Sequence, residues 1–215
     1  MKKEQKWLVV LIVITLLVQV FNYTNLANMG SMPLIGLASA SPEGRLGVIP
    51  TGSPDIYGEK LGLSFDDVSP NDPYRADAVI SKLAQIDRSL NLDGANLERY
   101  IDILYNLNDG ISCEYCCGAR SIIFENGQAA CGCAHSYAMR GLTKYLITEL
   151  GDKFTDLEIL EEIGKWKTLF FPTQMQLKAD ILKENGVEFN YVNLASNKYR
   201  GIEQGKTAGG MVGGC

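Results

Sequence analysis

Residues 113–135 read Cys-Glu-Tyr-Cys-Cys-Gly-Ala-Arg-Ser-Ile-Ile-Phe-Glu-Asn-Gly-Gln-Ala-Ala-Cys-Gly-Cys-Ala-His. This segment contains five of the six cysteines of the 215-residue chain and its only histidine. Thiolates and imidazole bind soft metal ions, and neighbouring cysteines also carry redox chemistry or form disulfides. The segment therefore predicts either a metal site or a redox site, and the rest of the chain is its scaffold.

A β-hairpin is predicted in the middle of this segment. Asn126–Gly127 lies between the short runs Ser121–Glu125 and Gln128–Cys131, and Asn-Gly in that position favours a two-residue hairpin loop. In the resulting register Phe124 faces Ala129. The hairpin would gather the cysteines and the histidine at its open end, as in zinc ribbons.

The sequence around the hairpin predicts a mainly helical domain. Asp72–Pro73 is a helix cap followed by proline at the first helical position, and apolar residues then recur at helical spacing. A second helix covers Leu97 to Leu104, and a third begins near Ala134 and ends at Gly151.

Two capping-box patterns predict further helices, at Thr155–Glu158 and at Thr173–Gln176. The alternation of Val187, Phe189 and Tyr191 is typical of a short strand. The fold class predicted is thus mainly α, with an N-terminal membrane-anchor helix and a small helical domain that carries one cysteine-bearing β-hairpin.

The N-terminal residues predict a membrane anchor. Residues 1–6 are lysine-rich and are predicted to be a cytoplasmic stub, and residues 7–26 form an apolar signal-anchor that contacts the lipid bilayer as a transmembrane helix. Because the lysines stay inside, the chain is predicted to be a single-pass cell-membrane protein whose bulk is extracytoplasmic. A cleaved secretory signal is the alternative, with Ala38-Ser39-Ala40 as the small-residue candidate site.

Composition defines the remaining segments. Residues 27–64 are rich in glycine, serine and proline and predict a flexible tether, residues 65–200 form the helical Cys/His domain, and residues 201–215 predict a Gly-rich flexible tail that ends in Cys215. The net charge of −5 includes no basic stripe, which excludes nucleic acid as a partner. The sequence does not indicate a protein partner.

The candidate metal ligands are the clustered thiols and the imidazole, with two tail residues as accessory ligands. They are Cys113, Cys116, Cys117, Cys131, Cys133 and His135, with Met211 and Cys215 as the accessory pair. A Cys₃His zinc site needs four of these, and the surplus of thiols favours copper(I). An iron–sulfur cluster is less favoured, because Cys-x-Cys is an unusual source of its ligands.

The predicted function is binding of copper or zinc outside the cytoplasm, as a carrier, sensor or accessory factor. Phosphate-loop, dinucleotide and serine-triad motifs are absent, so a binding protein is favoured over an enzyme. One alternative is a thiol–disulfide oxidoreductase that uses Cys113 and Cys116 with Cys215 as partner. A third hypothesis is a disulfide-stapled interaction domain, although neighbours such as Cys131 and Cys133 would form a strained bridge.

Four stretches of the chain carry a resemblance to a known group: Ser112–Arg120, Ala130–Gly141, Gly164–Phe171 and Met211–Cys215. They resemble archaeal membrane-anchored proteins with a Cys-x-x-Cys-Cys…Cys-Gly-Cys-x-His motif, over the whole chain after the tether. This resemblance implies no activity.

The chain is also distantly similar to bacterial lipoproteins with a Pro-Cys-Tyr-Cys-Gly-Cys-x-His motif. It matches that motif at Cys131, Cys133 and His135 and at the glycine between the cysteines. Gln128 and Ala129 stand where the motif has its proline and first cysteine.

Overall fold

The computed structural model describes residues 47–116, 118–204 and 211–212, and all of them belong to the unit formed by Leu46–Cys215. This described part is mainly helical and contains no β-strand. Its α-helices, numbered α1 to α7 in chain order, are Gly58–Leu61, Pro73–Ser89, Gly94–Ile101, Ala134–Leu150, Asp156–Phe170, Pro172–Glu184 and Tyr191–Ala195. A π-helical turn at Asp102–Asn106 continues α3, and 3-10 turns occupy Phe65–Asp67, Leu107–Asp109, Gly151–Lys153 and Asn197–Tyr199.

Helices α2 and α4 pack closely and fix the position of the cysteine segment. Asp72 Oδ1 accepts a hydrogen bond from Arg75 N at 3.1 Å, so the cap predicted at the start of α2 is confirmed. A Cβ atom placed on Gly141 of α4 would lie 2.0 Å from the carbonyl oxygen of Leu83 on α2. Only glycine allows this approach, which buries the apolar faces of both helices.

Helix α5 lies in the core and contacts both α4 and the short helix α7. It begins with the predicted capping box, in which Thr155 and Glu158 each satisfy a backbone N–H of the other. Its Trp166 and Phe170 are fully buried. Gly164 faces the backbone of Tyr191, because an added Cβ would lie 2.5 Å from that residue's carbonyl oxygen. Helix α5 therefore contacts the C-terminal part of the domain closely along this face.

The chain enters the cysteine segment through a sharp bend at Gly110. This residue has a φ of 74°, and a Cβ atom there would lie 2.5 Å from Leu104 O. The next residue, Ile111, is fully buried and donates its N–H to Leu104 O at 3.0 Å. Two residues after the bend, the side chain of Cys113 is buried in the core.

The predicted β-hairpin is wrong. Ile123 and Ala129 form a single bridge, and the N–H of Phe124 donates to Gln128 O at 2.7 Å, so the loop has three residues instead of two. Gly127 adopts a φ of 82° and donates to Phe124 O, as in a turn followed by a bulge. The observed register is therefore one residue away from the predicted one.

Competing hydrogen bonds explain why no ladder extends from this turn. Ile122 donates its N–H to Ile111 O at 3.0 Å, and the buried Arg140 donates to the carbonyl oxygens of Ile122 and Cys131. Ile122 O still accepts the N–H of Ala130 at 3.1 Å, but the Ile122 N–H and the Cys131 carbonyl group are satisfied by other partners, so the pairing ends after one bridge.

Two further predictions differ from the structure. Residues 47–64, predicted to belong to the tether, pack into the domain, where Val48, Tyr57 and Leu63 are buried. These apolar side chains are too few to show periodicity, but each finds a place in a core that other segments build. The strand predicted at Val187–Tyr191 is absent, and Tyr191 begins α7 instead.

The predicted membrane-anchor helix finds no support in the structure. None of the helices among the described residues combines the length and apolar character needed to cross a bilayer. The anchor predicted over residues 7–26, the stub before it and the tether up to residue 46 lie outside the described residues. The fold class is therefore corrected to a mainly helical domain, without the hairpin.

Candidate metal centre

Three cysteine sulfurs converge near the start of α4. The Sγ atoms of Cys113, Cys116 and Cys133 all lie within 4.8 Å of one another, a grouping that could hold a metal ion. Cys133 Sγ lies 3.5 Å from Cys113 Sγ and also 3.5 Å from Cys131 Sγ. Both separations exceed the ~2.05 Å of a disulfide bond, so these sulfurs are in contact without a disulfide between them.

A tight turn positions the first two cysteines. The N–H of Tyr115 donates to Cys113 O at 2.7 Å, which closes a three-residue turn with Glu114 at its centre. Glu114 has a φ of 66°, a backbone conformation that a non-glycine residue adopts only when its surroundings hold it there. The turn buries Cys113 and leaves Cys116 exposed.

The carboxylate of Glu114 holds the turn in place. Its side chain is fully buried, accepts hydrogen bonds from Lys167 Nζ at 2.9 Å and Lys178 Nζ at 3.2 Å, and receives the N–H of Gly201 at 2.7 Å. Burial raises the pKa of Glu114, but the two ammonium groups and these hydrogen bonds outweigh burial and lower the pKa to about 2. Glu114 is thus bonded to helix α5, to helix α6 and to the C-terminal segment.

Two ammonium groups share the carboxylate of Glu114, so the charge of Lys178 is less fully neutralised than the charge of Glu114. Burial, followed by repulsion from Lys167, lowers the pKa of Lys178 to about 8, against the attraction of Glu114 and Glu203. Lys167 has a second partner, because it also donates to Ala195 O at 2.8 Å. The network therefore holds two ammonium groups near the carboxylates of Glu114 and Glu203 inside the core.

Tyr115 extends this network to the C-terminal segment. Its hydroxyl group donates to Glu203 Oε1 at 2.7 Å, and its ring packs against Phe171 with centroids 5.0 Å apart. Burial is the main cause that raises the pKa of Tyr115 above its usual value, and the neighbouring Glu114 and Glu203 add to it. Tyr115 is thus a neutral hydrogen-bond donor that helps to fix the cysteine turn.

Helix α4 positions the third cysteine of the cluster. Cys133 is the N-cap residue of this helix, and its sulfur accepts a hydrogen bond from Ser136 N at 3.4 Å. The Ser136 hydroxyl group also contacts Cys133 Sγ at 3.2 Å. A helix N-terminus favours thiolate over thiol. The chain just before the helix is held by Arg140, which donates a hydrogen bond to Cys131 O at 2.8 Å.

The two facing thiols differ in acidity. The hydrogen bond from Cys113 is the largest cause that lowers the pKa of Cys133, and hydrogen bonds from His135 and Ser136 act in the same direction against burial. The same contact with Cys133, together with burial, raises the pKa of Cys113. Cys133 is therefore the more acidic thiol of the pair and Cys113 the less acidic one.

His135 lies outside the group of converging sulfurs, although the sequence predicted it as a ligand. The ring is fully buried between Phe170 and Phe171, with centroid distances of 4.9 and 5.0 Å. Its Nε2–H donates to Val212 O at 2.7 Å, because a carbonyl oxygen can only accept. The imidazole thus joins the start of α4 to the C-terminal segment and hydrogen-bonds to Cys133.

The other predicted ligands are placed as follows. Cys131 contacts the cluster through Cys133 Sγ, and Met211 is 39% exposed. Cys117 and Cys215 lie outside the described residues. The tail is held at Val212, which is buried and donates its N–H to Phe170 O at 2.8 Å.

Three residues that support the cluster were not predicted from the sequence, namely Glu114, Lys167 and Lys178. A signal for Lys167 was present, since this lysine lies on the apolar face of a predicted helix beside Trp166 and Phe170. A lysine on such a face is almost never buried unless it is paired.

Comparisons with known protein families, curated proteins and solved structures find no match for this chain. The function of the centre is therefore inferred from its geometry and chemistry. The resemblance to archaeal membrane-anchored proteins and to bacterial lipoproteins stays a prediction.

Proposed function

We propose that this domain binds one soft metal ion through the thiolates of Cys113, Cys116 and Cys133, with Cys131 as the fourth ligand. The convergence of the first three sulfurs to within 4.8 Å of one another carries the proposal. An ion that bonds sulfur at ~2.3 Å can join two sulfurs up to ~4.6 Å apart. The three converging sulfurs already lie close to that limit, whereas Cys131 reaches the group through its 3.5 Å contact with Cys133 Sγ.

The donor set selects copper(I) or zinc. Thiolates bind these soft ions in preference to magnesium or calcium. Four thiolates complete the tetrahedral coordination that zinc takes in structural sites, whereas copper(I) is satisfied by fewer thiolates. Participation of Cys131 therefore favours zinc, and a centre of three sulfurs favours copper(I).

The proposed role is that of a carrier, sensor or accessory factor outside the cytoplasm. Exposure of Cys116 supports a role in which metal is exchanged, because an incoming ligand can reach that sulfur from solvent. Placement outside the cytoplasm is inferred from the lysines that precede the apolar run Trp7–Phe21. The lipid bilayer as a partner stays a prediction.

The first test measures metal binding by the full chain with its thiols reduced. Elemental analysis after loading with zinc or copper(I), followed by competition with a chromophoric chelator, is expected to give about one ion per chain at this centre. Binding is expected to weaken on acidification, because protons compete for the thiolates. A reduced protein that retains neither ion against the chelator would disprove the proposal.

Serine variants identify the ligands. Cys113→Ser and Cys133→Ser are expected to lose the ion, because a serine hydroxyl group does not supply thiolate coordination. Cys117→Ser is the matched control, since it removes a neighbouring thiol that the proposed set does not use. Loss of the ion in Cys117→Ser, with retention in Cys133→Ser, would show a different set of ligands. Cys131→Ser distinguishes a four-sulfur from a three-sulfur centre.

A further inference from the structure

The three converging thiols differ in how accessible they are to a reagent in solution. Cys116 is exposed, whereas Cys113 is 1% and Cys133 9% exposed. In the Cys113-Glu-Tyr-Cys116 segment the first cysteine is thus buried and the second faces solvent. A molecule that approaches the centre meets the sulfur of Cys116 first.

Cys133 supplies a second sulfur behind Cys116. It lies within 4.8 Å of Cys116 Sγ and caps the 17-residue helix α4, where the Ser136 N–H and hydroxyl group contact the sulfur at 3.4 and 3.2 Å. These contacts favour negative charge on sulfur. A buried sulfur in this position cannot reach a bulky reagent but can reach a sulfur atom held on Cys116.

We propose that Cys116 and Cys133 carry out thiol–disulfide exchange with a small-molecule disulfide, and that this exchange displaces the metal ion. The exchange is a chemical activity of the thiols themselves, whereas the displacement of metal rests on the proposed function. The pair differs from the one that the sequence suggested, because the tertiary structure buries Cys113 and brings Cys133 to the centre.

The exchange has two steps. The Cys116 thiolate attacks one sulfur of R–S–S–R, a bond forms between Cys116 and S–R, and the other half leaves as a thiolate. The Cys133 thiolate then attacks Cys116 Sγ, the bond to S–R breaks, and a second thiolate leaves. Two protein thiols are oxidised to one disulfide, R–S–S–R is reduced to two R–SH, and the two protons from the protein end on these products.

The geometry allows the second step. The two sulfurs lie at most 4.8 Å apart, and a disulfide bond needs them at ~2.05 Å. They must therefore approach by at most about 2.8 Å, which rotation about the side-chain bonds of the exposed Cys116 can supply. The oxidised pair no longer offers two thiolates, and metal affinity depends on deprotonated thiol ligands. The ion is therefore released without any change in its own oxidation state.

The test uses the full chain with Cys117→Ser and Cys215→Ser, so that the four described cysteines remain. The reduced, metal-free protein receives one equivalent of 5,5′-dithiobis(2-nitrobenzoate). Two thionitrobenzoates per chain are expected, with no adduct retained and a peptide map that shows a Cys116–Cys133 disulfide. With Cys133→Ser added, one thionitrobenzoate is released and its partner stays on Cys116. With Cys116→Ser added, the fast phase of thionitrobenzoate release, which we assign to attack by the exposed Cys116, is lost.

Two outcomes overturn the inference: an adduct that persists on Cys116 when Cys133 is intact, or a fast phase that survives in Cys116→Ser. The zinc-loaded protein is then treated with the same reagent in the presence of a chromophoric chelator, and stoichiometric release of zinc is expected. Metal binding is measured before the disulfide is added. A protein that binds no metal but still exchanges refutes only the proposed function, and one that binds metal without exchange refutes only this inference.

Discussion

Glu114 accepts a hydrogen bond from Lys167 at 2.9 Å inside the core, although the two residues are 53 positions apart in the chain. This contact ties the cysteine turn to helix α5, and Lys178 ties the same carboxylate to α6. Because Glu114 lies between Cys113 and Cys116, the spacing of the first two sulfurs depends on a buried ion network rather than on the turn alone.

Replacing Glu114 by glutamine is expected to weaken both the fold and the metal centre. Breaking one partner of a buried ion pair costs about 3–5 kcal/mol, and metal affinity is expected to fall because the turn no longer fixes the spacing of Cys113 and Cys116. Chemical denaturation and chelator competition measure the two effects. Glu125→Gln is the control, because that carboxylate is exposed and both quantities should stay unchanged. Equal behaviour of the two variants would contradict the role given to Glu114.

The pH dependence of stability is expected to report the same carboxylate. The folded-state pKa of Glu114 is about 2, below its ordinary value of 4.5. Its stabilisation is therefore complete above pH 4.5 and is lost as the pH falls toward 2, by an amount on the order of 3 kcal/mol. Denaturant midpoints measured across this range should fall steeply in the wild type. In Glu114→Gln that part of the slope should be missing, and an unchanged slope would argue against a charged Glu114.

His135→Ala is expected to destabilise the fold, because the ring is fully buried and bonded to Val212 O. The sequence pattern predicts a metal ligand at this position, and loss of a ligand alone would leave the stability of the fold nearly unchanged. A cavity and an unpaired carbonyl group should instead cost about 2–4 kcal/mol in the free energy of unfolding. Tyr74→Ala removes a ring that is 88% exposed and should change stability by less than about 0.5 kcal/mol. Similar values for both variants would show that the imidazole is not a structural contact.

Gly141→Ala is expected to separate helices α2 and α4. The added methyl group would lie 2.0 Å from Leu83 O, which cannot move away without its helix. Overpacking of this kind costs about 1–3 kcal/mol, more than the gain of about 1 kcal/mol in helix propensity. Gly47→Ala, where an added Cβ meets nothing within 4 Å, is the control for thermal unfolding. A variant at Gly141 that is as stable as wild type would exclude the close approach.

The local features of the fold were predictable from local sequence. The cap at Asp72 and the capping box at Thr155 act over three residues, so their residue types are enough to locate the two helices. The Asn126–Gly127 turn was also found, but its loop length was not. The pairing beyond the turn was not predictable either, because it ends where Ile122 donates its N–H to Ile111 O and Arg140 donates to Cys131 O.

In the candidate site, too, one feature was predictable from the sequence and another was not. The density of thiols between Cys113 and Cys133 predicted soft-metal chemistry, because ligand type is a property of each residue alone. The selection of the converging sulfurs was not predictable from spacing. Cys113 and Cys133 are 20 residues apart, and the contact between them depends on where α4 begins and on how Glu114 is held.

The sequence by itself determined the five longer helices, the caps at Asp72 and Thr155 and the chemical type of the centre, because each of these depends on neighbouring residues. Only the tertiary structure decided that Cys116 faces solvent, that Lys167 and Lys178 pair with Glu114, and that His135 bonds to a residue 77 positions away. Burial of charged and polar groups is stable only when partners from several segments arrive together. Such partners are set by packing, and no local pattern encodes them.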